Sequence, residues 1–189
     1  MILEIILICL VGTLLHFTYE MSHHNKLVAY FSAVNESTWE HIKIALTPTF
    51  IYTIVDYFIL NGNNFFFSKF ICLLTIILMI PILFYSYSVF TKKSILPLDI
   101  ICFYTTITTS QILSNYVMKL NDLGNIYNII GIIGIIVVFI MYSLLTYYAP
   151  KNFIFKDPIT KKYGLDGHPC HEHGHHHGHK HSHEHHHNH

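Results

Sequence analysis

Five long apolar segments, joined by mostly short polar connections, make up most of this chain of 189 residues. A helix needs about 20 apolar residues to cross the hydrocarbon of a bilayer. Backbone groups in lipid must pair within their own segment, which favours helices over open sheets. The predicted spans are Ile2–Met21, Trp39–Leu60, Phe65–Phe90, Leu98–Met118 and Ile126–Ala149. The sequence therefore predicts an all-α, polytopic membrane bundle of five transmembrane helices.

The amino-acid composition supports this class. Hydrophobic residues make up 52% of the chain and charged residues only 12%, which is too little charge to solvate a soluble globule of this size. The formal net charge is zero, so we expect no nucleic acid as a partner. There is no nucleophile motif, phosphate-binding loop or dinucleotide fingerprint, which disfavours the common hydrolase and nucleotide chemistries.

The chain divides into three predicted parts. They are a transmembrane domain at residues 1–150, a short cytoplasmic membrane-proximal segment at 151–165 and a His-rich cytoplasmic tail at 166–189. Outside the tail, seven lysines lie on the side that carries the C-terminus and two on the other side. Cytoplasmic loops carry the excess of Lys and Arg. We therefore expect a multi-pass plasma-membrane protein with its N-terminus outside and its C-terminus in the cytoplasm.

The tail carries the strongest chemical signal, because 13 of the 17 histidines lie in it. It has no apolar surface to offset the entropy of ordering, which predicts disorder in the absence of a ligand. Imidazole is a good ligand for zinc and nickel and is mostly neutral at neutral pH. Sequence drift and a purification tag are the alternative explanations. The predicted metal ligands are His168, Cys170, His171, His173, His175, His176, His177, His179, His181, His183, His185, His186, His187 and His189.

A second candidate metal site lies within the membrane domain. His16 and Glu20 are four residues apart and share one face of the first helix. The second helix starts at the same membrane surface with Glu36, Glu40 and His41. Histidine with carboxylates is a suitable ligand set for zinc or a similar divalent ion. The alternative is that the carboxylates complement a helix N-terminus and that His41 only forms a hydrogen bond at the interface.

A polar stripe follows the fourth predicted helix, at Tyr104, Thr108, Gln111 and Asn115. Ionisable residues inside a span are costly and often mark an ion or proton pathway. The alternative is hydrogen bonding that holds the helices together. The residues of the predicted polar pathway are Asp56, Asp99, Gln111 and Asn115.

Three stretches carry a resemblance to a known family. They are Leu15–Glu20, Phe31–Lys43 with its Asn-Glu-Ser-x-Trp-Glu-His signature, and Asp157–Gly164. They resemble domain of unknown function 6512, a bacterial membrane family typical of Firmicutes. The resemblance covers most of residues 12–165 and implies a five-helix membrane fold without an established activity. The His-rich tail lies outside the family's pattern.

The leading functional hypothesis is a membrane protein that handles a divalent transition metal, zinc or nickel, as a transporter or transport accessory with a metal-buffering tail. One alternative is a membrane-embedded metal-dependent enzyme that uses His16, Glu20, Glu40 and His41; another is a structural membrane protein. Polar residues through the full membrane depth would indicate transport, whereas a cluster at one depth beside a lipid-accessible opening would indicate an enzyme. The expected partners are the lipid bilayer and the metal ion, with a homo-oligomer or a transporter complex left open.

Overall fold

The computed structural model describes residues 1–60 and 62–167. These residues form six α-helices and a short 3₁₀ helix at Gly164–Gly167. Within the described ranges the only β-type pairing is an isolated bridge between Lys156 and Tyr163, so the predicted all-α class is confirmed. The helices are α1 (Ile2–Met21), α2 (Lys26–Phe31), α3 (Thr38–Ile59), α4 (Phe65–Thr91), α5 (Leu96–Met118) and α6 (Asn125–Tyr147).

Of the six helices in the described residues, four (α1, α3, α4 and α6) are long and apolar enough to cross a membrane. The chain is thus a multi-pass membrane protein, but the prediction of five such helices was wrong. The exception is α5, which forms over 23 residues but carries many hydroxyl and amide side chains. Its buried polar residues are Thr106, Ser110, Gln111 and Ser114. The predicted disordered tail lies, from His168 onward, outside the described residues.

The connections between the long helices gather at two opposite ends of the bundle. At one end, Asn64 before α4 donates to the Leu120 and Asn121 carbonyls, each at 3.1 Å, and accepts from the Leu123 N–H at 3.0 Å. We call this the Asn64 end. The α1–α3 connection, the α4–α5 connection and the residues after α6 meet at the other end, which we call the Trp39 end. The start of α1 lies at the Asn64 end, because Glu4 is 3.7 Å from Lys69 of α4.

An apolar core separates the two ends. Its fully buried side chains come from α1, α3, α4 and α5, and they include Ile8, Leu46, Leu73, Ile76 and Ile107. The central helix is α4, which packs against α3, α5 and α6. The outer faces of α1 and α6 expose large apolar side chains, as expected for surfaces in contact with lipid.

A buried ion pair holds the α1–α3 connection against α3. The Lys43 side chain is fully buried, lies 2.6 Å from a Glu40 carboxylate oxygen and donates to the Ala29 carbonyl at 2.9 Å. The same Glu40 oxygen accepts from the Val34 N–H at 3.0 Å. Each charge therefore has a charged partner and a backbone partner, which buried charges need. The result is a fixed path for the residues just before Glu36.

The segment after α6 folds back across the Trp39 end. Trp39 stacks on Phe155 with ring centroids 5.0 Å apart, and the backbone N–H of Trp39 donates to the Ile154 carbonyl at 3.0 Å. The Asn35 amide donates to the Gly164 carbonyl at 2.8 Å. Gly167 lies so close to Asn35 that a β-carbon there would be 2.8 Å from the Asn35 amide nitrogen. The last described residues are therefore docked beside the loop that carries Glu36.

Candidate metal centre

Three side chains from separate parts of the fold converge at the Trp39 end. His16 belongs to α1, Glu36 to the α1–α3 connection and His41 to the first turns of α3. His16 Nε2 is 3.3 Å from Glu36 Oε1, and His41 Nε2 is 3.9 Å from Glu36 Oε2. One ligand atom from each residue lies within 4.8 Å of the other two. Ligand atoms around one zinc ion lie roughly 3 to 3.5 Å apart, so a small contraction would let all three bind one ion.

The ring of His41 is oriented by its own helix. His41 Nδ1 lies 3.0 Å from the carbonyl of Ser37, one turn earlier. A carbonyl can only accept, so Nδ1 carries the hydrogen. In the neutral ring the lone pair is then on Nε2, the atom that faces Glu36. A second hydrogen bond of this kind is the usual way in which proteins orient a metal-binding histidine.

The carboxylate of Glu36 is kept in its ionised form. The hydrogen bond from His16 is the largest cause that lowers the pKa of Glu36, and the charges of His16 and His41 act in the same direction. Partial burial opposes them but does not prevail. Metal ligands must be deprotonated, so Glu36 is ready to bind a cation at neutral pH.

Two other predicted ligands of the membrane domain lie outside this cluster. Glu20 is exposed and lines a cleft with His16 and Glu36. Glu40 contacts Lys43 and Val34 instead of the histidines, because the α1–α3 connection folds against that side of α3. Sequence reasoning missed Lys43, although the three-residue spacing of opposite charges on one helix was the available signal.

The residues of the predicted polar pathway are spread over the bundle. Asp56 forms an ion pair with Lys69 at the Asn64 end, beside Glu4. Asp99 lies at the Trp39 end and accepts from the hydroxyl groups of Tyr87 and Ser94. Gln111 is buried within α5 and Asn115 is half-buried. The sequence did not lead us to predict that Glu4 and Lys69 lie beside Asp56. The available signal was that all three charged residues lie at a similar depth of their predicted spans.

The stripe predicted on α5 is rotated in the structure. Tyr104 is exposed and Thr108 only half-buried, whereas Thr106, Ser110 and Ser114 are buried. The hydroxyl groups of Thr106 and Ser114 have no hydrogen-bond partner among the described residues. The buried polar face of α5 thus begins at Thr106, in the middle of the helix, and is built mainly from hydroxyl groups.

A groove runs between α1 and α5 beside the three-residue cluster. Its apolar wall includes Phe17, Ile100 and Phe103, and its polar end is formed by His16, His41 and Asp99. Phe17 and Ile100 are 54% and 44% exposed, so the groove opens toward the lipid-facing side of the bundle. We call it the α1–α5 groove.

The predicted tail ligands from His168 to His189 lie outside the described residues. The point at which the tail begins is nevertheless defined. Thr160 donates to the Gly167 carbonyl at 3.0 Å, and Gly167 packs on Asn35. The first tail histidine therefore follows directly after a residue that contacts the neighbour of Glu36.

Fold and site together define a class: an all-α, multi-pass membrane protein with a candidate His–Glu–His metal centre at one end of its bundle. The model of the family of unknown function DUF6512 matches residues 1–165, and the chain belongs to that family. The resemblance predicted from the sequence is thereby confirmed. Neither a curated protein nor a solved structure matches the chain.

Proposed function

We propose that this protein binds a divalent transition metal, zinc or nickel, through His16, Glu36 and His41. The observation that carries the proposal is the convergence of three ligand atoms within 4.8 Å from three separate parts of the fold. Two imidazoles and one carboxylate leave a fourth position open for water or another ligand. An open position lets an ion exchange, which suits a transporter or transport accessory.

In this proposal the tail collects the ion and raises its concentration at the membrane site. Its support is the docking of Gly167 beside Asn35, which places the start of the tail next to the Glu36 loop. Ligands tethered close to a site act at high effective concentration. The tail's own ligands, which begin at His168, would bind several ions and release them to the membrane site.

The orientation that we propose places the Trp39 end and the tail in the cytoplasm and the start of α1 outside, in the plasma membrane. The support is the distribution of lysines. Lys92 and Lys93 between α4 and α5 and the lysines after α6 lie at the Trp39 end, and excess positive charge marks the cytoplasmic side.

A metal-dependent membrane enzyme is the second candidate function. The position of the cluster favours it, because the three ligands lie at one depth beside the α1–α5 groove. In such an enzyme the ion would polarise a substrate or activate a water molecule at the open position. Asp99 lines the same groove and would supply a further carboxylate there.

Elemental analysis of purified protein tests the metal proposal. A chain truncated after Gly167 and dialysed with zinc should retain about one ion per chain. His16→Gln and His41→Gln should lose it, whereas the control His23→Gln, at an exposed position after α1, should not. A truncated protein that retains no zinc would refute the membrane site, whatever the full-length chain binds.

A further inference from the structure

Three clefts meet around the candidate metal centre. One is the α1–α5 groove. A second cleft, which we call the Lys156 cleft, has a volume of about 260 Å³ and is lined at the Trp39 end by Glu36, Tyr85, Phe153, Lys156 and Lys161. A third, smaller cleft shares Glu36 with the Lys156 cleft and shares His41, Asp99 and Phe103 with the groove. The metal centre therefore lies between a lipid-facing opening and one at the end of the bundle.

The two openings differ in chemistry. The α1–α5 groove is apolar apart from the metal centre, Asp99 and the two hydroxyl groups at its far end, whereas the Lys156 cleft carries two lysines at its edge. Asp157 also lines that cleft, but its carboxylate accepts from the Ile159 N–H at 2.8 Å and from the Thr160 hydroxyl at 2.9 Å. Lys156 is exposed. Lys161 donates to the Pro158 carbonyl at 2.6 Å, which keeps its ammonium group at the edge of the cleft. A ligand that complements both openings is apolar in the groove and negatively charged where it meets the two lysines.

The groove is short. The Thr13 and Tyr104 hydroxyl groups, 3.2 Å apart, bridge α1 and α5 at its far end, and Gly12 contacts Phe103 just beyond. Thr13 precedes His16 by three residues, which is about 4.5 Å along a helix. Only the first few carbons next to a head group fit, so the rest of an apolar chain must leave sideways between Phe17 and Ile100 into the bilayer.

We infer that this site takes an anionic membrane lipid with a phosphate head group, whose chain enters through the α1–α5 groove and whose phosphate lies between the metal centre and Lys156. The inference rests on the proposed metal site, because a bound divalent ion supplies an oxygen-binding position there. Lys156 and Lys161 supply complementary charge at the outer edge. The site thus takes its ligand from the membrane, which assigns it a class of ligand: a phospholipid rather than a water-soluble metabolite.

Native mass spectrometry of the zinc-loaded full chain, with phosphatidic acid as the probe, tests this inference. Ile100→Trp fills the groove, and Ile112→Trp is its matched control, because Ile112 is 51% exposed on the same helix away from the groove. Ile100→Trp should weaken lipid binding by about tenfold or more, and Ile112→Trp should leave it unchanged. Phe17→Trp on the opposite wall is a second variant with the same expected result.

The head group is tested separately. Lys156→Glu should weaken phosphatidic acid binding about fivefold, whereas Lys151→Glu, an exposed lysine that does not line the cleft, should not. Phosphatidylcholine with the same chains should bind more weakly to the unchanged protein. Inorganic phosphate should not displace the lipid at equal concentration; if it does, the groove contributes nothing and the inference is overturned.

Zinc content measured on the same variants truncated after Gly167, in which the tail cannot contribute ions, separates the two proposals. If Ile100→Trp keeps its zinc and loses lipid binding, both the metal proposal and the lipid inference are supported. If Ile100→Trp and Phe17→Trp keep zinc and bind lipid as tightly as Ile112→Trp, only the lipid inference is overturned. If the truncated chain without substitutions holds no zinc, the metal proposal and the inference that depends on it are both refuted.

Discussion

His41 donates a hydrogen bond from Nδ1 to the carbonyl of Ser37 at 3.0 Å, and its other ring nitrogen faces Glu36 at 3.9 Å. The first turn of α3 therefore also orients the ring of a proposed metal ligand. This orientation does not depend on a bound ion, so the histidine is already positioned when an ion arrives. Pre-organised ligands of this kind lose little entropy on binding.

Zinc binding should weaken as the pH falls from about 7 to 5, because imidazole rings titrate near 6.5. Because the pKa of Glu36 is lowered in the folded protein, its ionised carboxylate contributes to folding stability. This contribution is fully present above the ordinary carboxyl pKa and is lost only as the pH falls through the lowered value. Below about pH 6 the truncated chain should therefore release zinc with uptake of about two protons. Chelator competition across this range measures the slope; a slope of zero would contradict histidine ligation.

Removing the buried lysine should destabilise the fold. Lys43→Met leaves the buried Glu40 carboxylate without its cation and should cost about 3–5 kcal/mol. The double variant Lys43→Met/Glu40→Leu should recover part of this loss, because neither charge then remains. Thermal unfolding in detergent is the measurement, with Lys26→Met, an exposed lysine on α2, as the control. Equal midpoints for Lys43→Met and Lys26→Met would show that the ion pair contributes nothing.

The orientation in the membrane can be read by chemical labelling. In a chain without its native cysteines, Lys119→Cys at the Asn64 end should react on intact cells with a maleimide that does not cross membranes. Lys93→Cys at the Trp39 end should react only after the cells are opened, because the lysine-rich end is expected in the cytoplasm. The reverse pattern would place the tail outside.

The isolated peptide from His168 to His189 should bind more than one zinc or nickel ion at about pH 7.5. The same peptide with every histidine replaced by asparagine should bind none. Isothermal titration measures the stoichiometry. A histidine-containing peptide that takes up no metal would remove the buffering role from the proposed function and leave the membrane site to stand alone.

Local patterns predicted much of the fold. The predicted bounds of α1 are those of the structure, and the predicted end of α4 differs by one residue. Hydropathy succeeded there because a spanning helix is specified by its own residues. For α5 it predicted the helix and its end at Met118 but was wrong to count it as an apolar span, because hydroxyl and amide side chains are buried there. Hydropathy gave no sign of α2.

The site was less predictable from sequence. The proximity of His16 and His41 could be predicted, because α1 ends and α3 begins at the same membrane face. The different partners of Glu36 and Glu40 could not be predicted. Both residues flank the same helix N-terminus and look equivalent in the sequence. Their difference arises from the path of the α1–α3 connection, which depends on Lys43 reaching the Ala29 carbonyl and on Asn35 reaching Gly164.

The hydrogen bond from Asn35 to the Gly164 carbonyl joins residues 129 positions apart. During synthesis, the loop that carries Glu36 therefore leaves the ribosome long before its stabilising partner exists. Docking of that loop must wait until α6 and the residues after it have been inserted and released. Assembly of the candidate metal centre is thus a late event in biogenesis, and a premature stop before residue 154 would yield inserted helices with an unfinished site.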